Sequence, residues 1–205
     1  MREKHIILAA RVISALFTPF YLPLVSLLAL FLFSYLSLLP LVYKLYVLAI
    51  VYLFTVLMPT LLIYLYRRFH GWSLIELGNR ERCMVPYVIC ILNYIACLYV
   101  MDSNHIPHFM GSIVIAALFI QIVCAMINAW WKISTHTAAT GGMVGALFAF
   151  GEIFGFNPVW WICLGIGIAG IVGTSRMILR QHSLSQVVMG FIVGFFLSAL
   201  AILFT

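Results

Sequence analysis

The sequence predicts an all-α membrane protein, a polytopic bundle of six or seven transmembrane helices. Two properties indicate this class: 65% of the 205 residues are hydrophobic and 8% are charged, and the mean hydropathy is +1.17. A soluble domain is about 45–50% apolar and about 25% charged. The composition therefore excludes an ordinary water-soluble fold, and a lipid bilayer is the environment that fits it.

The third observation is a series of apolar stretches near the length of about 20 residues that an α-helix needs to cross the hydrocarbon core. Pro19 and Pro23 interrupt the first stretch, which is expected either to bend or to split into a re-entrant pair. This ambiguity leaves the count at six or seven. In chain order, the stretches cover residues 12–37, 43–66, 84–101, 109–131, 137–155, 158–174 and 184–204.

The connections between these stretches are short, and the longest polar one runs from about Arg67 to Arg82. They leave no room for a separate soluble domain, so residues 1–205 are interpreted as a single integral membrane domain. The start, Met1 to His5, resembles that of a signal peptide, but no small-residue cleavage site closes a short apolar region. We interpret it as part of an uncleaved first helix.

The positive charges cluster on one side of the predicted bundle. If the helices alternate across the bilayer, the amino terminus, the 67–82 loop, Lys132 to His136 and Ser175 to His182 all emerge on the same face. The positive-inside rule would place this face in the cytoplasm. The rule weakens if several of these cations bind a ligand. Contact with lipid headgroups is the simpler interpretation for three of them, Arg67, Arg68 and Arg180.

Two of these clusters carry the same set of side chains, a cation, a hydroxyl and an imidazole. One runs from Ser175 through Arg176 to His182, and the other runs from Lys132 to His136. Phosphoryl transfer requires fixed cations and hydrogen-bond donors around the phosphoryl oxygens. Arginine donates two parallel hydrogen bonds to such oxygens, and histidine moves protons near neutral pH. The clusters therefore predict a phosphotransfer centre with two histidines.

The spacing in the segment from Ser175 to His182 resembles that of the type 2 phosphatidic acid phosphatase superfamily, the membrane lipid phosphate phosphatases related in fold to vanadium haloperoxidases. Its third motif is S-R-x5-H-x3-D. Ser175, Arg176 and His182 match this motif, and Gln186 occupies the position of the final aspartate. The third motif is the most specific part of the resemblance.

The other two family motifs are matched less completely. In P-S-G-H, Ser134 and His136 match, whereas isoleucine and threonine replace the proline and the glycine. In K-x6-R-P, Arg80 and Arg82 precede Pro86 in the right order, without the adjacent pair or a lysine seven residues before either arginine. The three motifs follow the family order and are expected on one membrane face.

The resemblance implies a type 2 phosphatidic acid phosphatase-like helical bundle and a role for each matched residue. It implies that His182 attacks phosphorus and forms a phosphohistidine, and that His136 donates a proton to the leaving oxygen. The phosphoryl oxygens would be bound by a set of cations and hydroxyls: Arg176, Ser134, Ser175 and either Arg80 or Arg82.

Lys132 is a further candidate, suggested by the residues themselves. It lies four residues before His136 and beside Trp130 and Trp131 at a predicted helix end, where it would replace the missing first-motif lysine. An interfacial anchor is equally consistent with this position.

Gln186 is the departure that bears most on activity. Because His182 and Gln186 are four residues apart on one helical face, the amide oxygen is expected to accept a hydrogen bond from the imidazole. An amide does not stabilise positive charge as a carboxylate does. In a Ser-His-Asp triad, exchanging the orienting aspartate for its amide lowers the rate by about four orders of magnitude. Slow or lost catalysis is therefore an open outcome.

These observations predict a phosphatase that removes phosphate from a lipid or polyprenyl phosphate, a monoester or a pyrophosphate, at the membrane interface. Two alternatives remain open. A catalytically weak homologue that binds or senses lipid phosphate is favoured by Gln186. A transporter is disfavoured because the charges lie at helix ends instead of midway through the spans.

The expected partners are this lipid phosphate and the surrounding membrane lipids, with no nucleic acid and no obligatory protein partner. Neither a metal nor another cofactor is expected, because the spacing of the His, Cys and Asp residues offers no convergent ligand set. The resemblance suggests a multi-pass cell-membrane protein whose active face is periplasmic or extracellular, against the positive-inside count.

Overall fold

The computed structural model describes residues 2–33, 35–70, 84–155 and 157–205. Regular structure in these ranges is helical, which confirms the predicted all-α class. The α-helices are α1 (Arg2–Leu16), α2 (Leu22–Phe33), α3 (Leu41–Tyr52), α4 (Met58–His70), α5 (Met84–Ser103), α6 (His108–Trp130), α7 (Thr135–Phe154), α8 (Val159–Ile178) and α9 (Leu184–Leu203).

Six helical segments of the described residues are long and apolar enough to cross a membrane. The first, Leu41–Phe69, runs through α3 and α4, which are joined by a π-helical turn at Leu53–Leu57. The other five are α5 to α9. Helix α2 has 12 residues and is shorter than the bilayer requires. Of the six or seven predicted spans, six are therefore present in these ranges.

The first apolar run, residues 12–37, is divided between two helices. Because α1 ends at Leu16 and α2 begins at Leu22, Pro19 lies in the connecting turn and Pro23 in the first turn of α2. Proline is tolerated in a first turn, where its missing N–H would have no partner within the helix. The two prolines therefore split this run and do not merely bend a single span.

Helix α7 is the centre of the bundle. Its membrane window is 67% buried, the largest share among the six spans, and it contacts α2, α6, α8 and α9. The main apolar core lies beside it, among α2, α3, α5 and α6. The neighbouring helices therefore fix the position of α7, including its amino-terminal turn.

Helices α7 and α9 pack backbone to backbone through glycines. Gly141 and Gly145 of α7 lie against the main chain of α9, and Gly190 and Gly194 of α9 lie against the main chain of α7. A Cβ atom added at Gly194 would overlap the carbonyl group of Ala138. Small residues four positions apart allow membrane helices to approach this closely. This contact sets the distance between the starts of α7 and α9.

Helix α1 runs beside α8 in the same direction. The cavity between them is lined by α1 residues within 6–13 and α8 residues within 167–178, and Ser14 near the end of α1 contacts Arg176 near the end of α8. The start of α1, including Lys4, therefore points away from Arg176 toward the opposite end of the bundle. This corrects the expectation that the amino terminus lies on the face of the two histidine clusters.

We expect Gly194→Ala to lower the free energy of unfolding by about 1–3 kcal/mol, because the added methyl group overpacks the α7–α9 contact. Denaturant unfolding in mixed micelles measures the change. The control is Gly170→Ala in α8, where an added Cβ meets nothing within 4 Å and alanine is the better helix former. Equal effects of the two substitutions would contradict the close contact.

Candidate functional site

The end of α8 and the starts of α7 and α9 meet at one end of the bundle. Helix α8 ends just after Arg176, His182 lies in the turn that follows, and Ser134 precedes the first residue of α7. The main-chain N–H of Ser134 donates to the carbonyl of Gln186 at 3.4 Å, which joins the start of α7 to the first turn of α9. The two histidine clusters, far apart in sequence, are thereby brought side by side.

The chain leaves α8 through a turn that redirects it toward α9. Arg180 has a φ of 53°, in the left-handed region. The N–H of Arg180 donates to the Met177 carbonyl at 2.9 Å, and the N–H of Gln181 donates to the Arg176 carbonyl at 3.1 Å. This pair of bonds is the Schellman arrangement of a helix end. It reverses the chain direction before α9 begins and places His182 at the site.

The ring of His182 is oriented by Gln186. Its Nδ1 lies 3.2 Å from Oε1 of Gln186, and the main-chain N–H of Ser183 donates to the same oxygen at 3.2 Å. Since that oxygen can only accept hydrogen bonds, Nδ1 must carry the proton of the neutral ring. The contact expected from the four-residue spacing is present, and it leaves the lone pair of Nε2 free.

The pKa of His182 is lowered from 6.5 to about 4, first by burial and then by the positive charge of Arg176. The hydrogen bond to Gln186 raises the pKa, and the charge of Lys132 lowers it to a smaller extent. The imidazole is therefore neutral at physiological pH, the form in which Nε2 acts as a nucleophile.

His136 lies in the first turn of α7 and is half-buried. Its ring lies against the main chain of Ser14 and is close enough to Arg176 and His182 to interact with both electrostatically. Its Nδ1 is buried and has no hydrogen-bond partner among the described residues. A second imidazole, with an unused nitrogen, thus lies beside His182.

Arg176 extends from the last turn of α8 toward α1. Its Nη1 donates to the hydroxyl oxygen of Ser14 at 2.8 Å. Its Nε is buried and finds no partner in the part of the chain that the structure describes. Because a guanidinium binds phosphate through paired N–H groups, the N–H groups that Ser14 does not hold remain available to an anion.

The two candidate serines make local bonds. Ser134 is completely buried as the N-cap of α7, and its hydroxyl accepts from the N–H of Thr137 at 3.4 Å. The hydroxyl of Ser175 donates to the carbonyl of Ile171 in its own helix at 2.8 Å. In this arrangement Ser134 keeps its hydroxyl proton for another acceptor, whereas the proton of Ser175 is used within α8.

Of the remaining candidate cations, the structure describes Lys132. Lys132, in the connection between α6 and α7, is half-buried, and its charge acts on His182. Arg80 and Arg82, the first-motif candidates, lie outside the described residues.

Ser14, the hydrogen-bond partner of Arg176, is a site residue that the sequence did not indicate. It lies in none of the three motifs and is separated from Arg176 by 162 positions. A serine in an apolar helix is a weak signal, because its hydroxyl commonly bonds to the carbonyl of its own helix. Its burial and its partner become visible only once α1 is placed against α8.

An apolar cavity has one end at Thr135, next to His136 in the sequence. It follows α7 from Thr135 to Ala146, and α2, α5 and α6 supply most of its other walls. Tyr94 and Gln121 are the larger polar side chains in an otherwise mainly apolar lining. The cavity thus starts one residue from His136 and extends into the membrane-spanning part of the bundle.

Comparison with protein families matches part of this chain to the PAP2 superfamily, over residues 130–205. This confirms the resemblance to type 2 phosphatidic acid phosphatases that the motifs indicated. The PAP2 segment contains α7 to α9 and therefore both histidines, whereas Ser14 lies outside it. No curated protein and no solved structure matches the chain.

We expect His182 to titrate near pH 4 in the folded protein, which nitrogen NMR of histidine-labelled protein in micelles would measure. Lys132→Met should raise this pKa, because it removes a positive charge that disfavours the imidazolium. The control is Lys44→Met. The ammonium of Lys44 donates to the Ser37 carbonyl at 2.5 Å, and its charge is not among those that act on His182, so the pKa of His182 should not change. A His182 pKa at the ordinary value of about 6.5 would contradict the buried, cation-flanked site.

Proposed function

We propose that the protein is a membrane phosphatase that hydrolyses a lipid or polyprenyl phosphate, a monoester or a pyrophosphate, through a phosphohistidine on His182. The observation that carries the proposal is the oriented imidazole: Gln186 holds Nδ1 at 3.2 Å, Nε2 has no partner among the described residues, and the ring is close to Arg176 and His136. Because members of the PAP2 family are phosphatases, the match of residues 130–205 supports the reaction class.

In the first step, Nε2 of His182 attacks phosphorus in line with the bond to the lipid oxygen. The N–P bond forms as that P–O bond breaks. His136 enters this step as an imidazolium, a form that the negative charge of the bound phosphate favours, and it becomes neutral as it gives its proton to the departing oxygen. The guanidinium of Arg176 binds the phosphoryl oxygens, and Ser134 and Lys132 supply further donors. The lipid product leaves as an alcohol, or as a monophosphate when the substrate is a pyrophosphate.

In the second step, a water molecule attacks the phosphohistidine. His136, now neutral, takes a proton from that water, and Nε2 of His182 recovers its lone pair as the N–P bond breaks. Inorganic phosphate is released. The two steps together consume one water and return both histidines to their starting states.

Gln186 limits how well the site supports the phosphorylated ring. With phosphate on Nε2 and a proton on Nδ1, the imidazole of His182 is cationic. The amide oxygen accepts the Nδ1 proton without bringing a negative charge, whereas a carboxylate would stabilise the cation more strongly. We infer that turnover is slower than in an enzyme with aspartate at this position.

The apolar cavity supports a lipid as the substrate. It begins at Thr135, next to His136, and follows α7 to Ala146, a length of about 16 Å at a helical rise of about 1.5 Å per residue. A phosphate bound by Arg176 would lie beyond the Thr135 end of the cavity, and an acyl or isoprenoid chain would occupy the cavity itself. The cavity therefore offers the chain of an amphipathic phosphate an apolar surface next to the proposed phosphate site.

A chain-length series tests this proposal. Phosphate release from alkyl phosphates in mixed micelles should show kcat/KM rising with chain length until the cavity is filled, since each buried CH₂ contributes about 0.8 kcal/mol. Ala139 lines the cavity, so Ala139→Phe should lower kcat/KM for long chains by about tenfold, the value of about two lost methylenes. Phenyl phosphate, which has no chain, should be hydrolysed at an unchanged rate.

The matched control is Ala49→Phe, because Ala49 is exposed on α3. It should leave the chain-length profile unchanged. A profile that Ala139→Phe also leaves unchanged would contradict binding of the chain in this cavity.

A lipid-phosphate sensor is the second candidate function, and the neutral side chain at Gln186 favours it. The same substrate panel separates the two. Saturable binding of lipid phosphates without release of phosphate from any of them would contradict the phosphatase and support the sensor.

We further propose that the site faces the periplasmic or extracellular side, as the family resemblance implies. Arg176 and Lys132 act on the candidate histidines and are counted here as ligands, and the start of α1 points to the opposite end of the bundle. The positive-inside count for this face is correspondingly smaller. The proposed partners are the lipid phosphate and the surrounding lipids.

A further inference from the structure

Ser14 contacts two residues of the proposed site, Arg176 and His136, from a helix outside residues 130–205. Its hydroxyl oxygen accepts from Nη1 of Arg176 at 2.8 Å, and the ring of His136 lies against its main chain. We propose that Ser14 is a positioning residue that fixes the guanidinium of Arg176 for phosphate binding. This inference rests on the proposed function and extends it to α1.

The bond of Ser14 differs from those of other hydroxyls in the membrane helices. Thr55, Thr174 and Ser175 each donate to a carbonyl of their own helix at 2.8 Å, the usual arrangement for such residues. The oxygen of Ser14 instead accepts from a cation on another helix. Its role therefore concerns Arg176 and not the geometry of α1.

A neutral partner suits an arginine that must bind phosphate. A carboxylate beside Arg176 would compete with the phosphoryl group for the same positive charge. The hydroxyl of Ser14 accepts one N–H and leaves the full charge of the guanidinium in place. Nε of Arg176, buried and unpaired within the described residues, remains available to a phosphoryl oxygen. Ser14 thus restricts the rotation of the guanidinium without neutralising it.

Helix α1 places Ser14 against the last turn of α8. Ala9, Ala10 and Ile13 of α1 face Gly167 and Gly170 of α8 across an open cavity, and the bond of Ser14 to Arg176 joins the two helices at one end of it. Ser14 is itself only 7% exposed, so its hydroxyl is directed into the protein and not toward lipid.

The test is a double-mutant cycle on kcat/KM, with orthovanadate inhibition as a second readout. Ser14→Ala should lower kcat/KM by about tenfold or more, the usual loss for a hydrogen bond to a charged group, and should weaken inhibition by orthovanadate by a similar factor. Ser14→Thr, which keeps the hydroxyl, should retain most of the activity. In an Arg176→Lys background, Ser14→Ala should have little further effect, because Ser14 acts through Arg176.

The control is Thr174→Val, which removes a hydroxyl that bonds within α8 and should leave both readouts unchanged. Full kcat/KM and full orthovanadate affinity in Ser14→Ala would overturn the proposal. An equal loss in the Arg176→Lys background would also overturn it, since that result assigns Ser14 to the packing of α1. If Ser14→Ala does not fold, Ser14→Cys replaces it, with the same expected loss and the same overturning results.

The proposal is separable from the function on which it rests. If the wild-type protein binds orthovanadate but releases no phosphate, calorimetric titration with orthovanadate still compares the wild type with Ser14→Ala. Weaker binding by the variant then supports the positioning role although the phosphatase proposal has failed. Equal binding overturns the positioning role by itself.

Discussion

The close backbone contact between α7 and α9 is the constraint on which the site depends. Glycines on both helices remove the side chains that would keep the two main chains apart. The start of α7 can then accept a position beside the first turn of α9, where the N–H of Ser134 reaches the carbonyl of Gln186. His136 lies in the first turn of α7 and His182 lies just before α9. The distance between the proposed acid and the proposed nucleophile therefore follows from this contact.

The location at a helix end in a membrane protein accounts for the neutral partners in the site. A buried carboxylate is costly unless it is fully paired. Here a hydroxyl holds Arg176 and an amide holds His182, so orientation is obtained without adding a negative charge. Burial and the positive charge of Arg176 lower the pKa of His182, and the neutral amide of Gln186 offsets them less than a carboxylate would. The low pKa keeps the proposed nucleophile neutral, but it also makes the proposed cationic intermediate harder to form, which is the reason for the slower turnover proposed above.

The sequence predicted features that depend on residues close to one another along the chain. Hydropathy predicted the long spans because each has the length of a bilayer, and the four-residue spacing predicted the contact of His182 with Gln186. It left open whether the run at Pro19 bends or splits. It could not predict the bond between Ser14 and Arg176, because hydropathy does not determine which helix packs against which. The direction of α1 was wrongly expected for the same reason, and the apolar cavity is likewise a product of packing.

The most direct test of the central claim is to trap the phosphorylated protein. A lipid phosphate with a radiolabelled phosphoryl group is mixed with the protein, and the reaction is quenched in alkaline detergent. The labelled residue is then identified by mass spectrometry. We expect label on His182 in the wild type and none in His182→Ala. With phenyl phosphate, whose leaving oxygen needs little protonation, label should accumulate in His136→Ala, because hydrolysis of the intermediate loses its base. Turnover without label, or label on a different residue, would contradict the account.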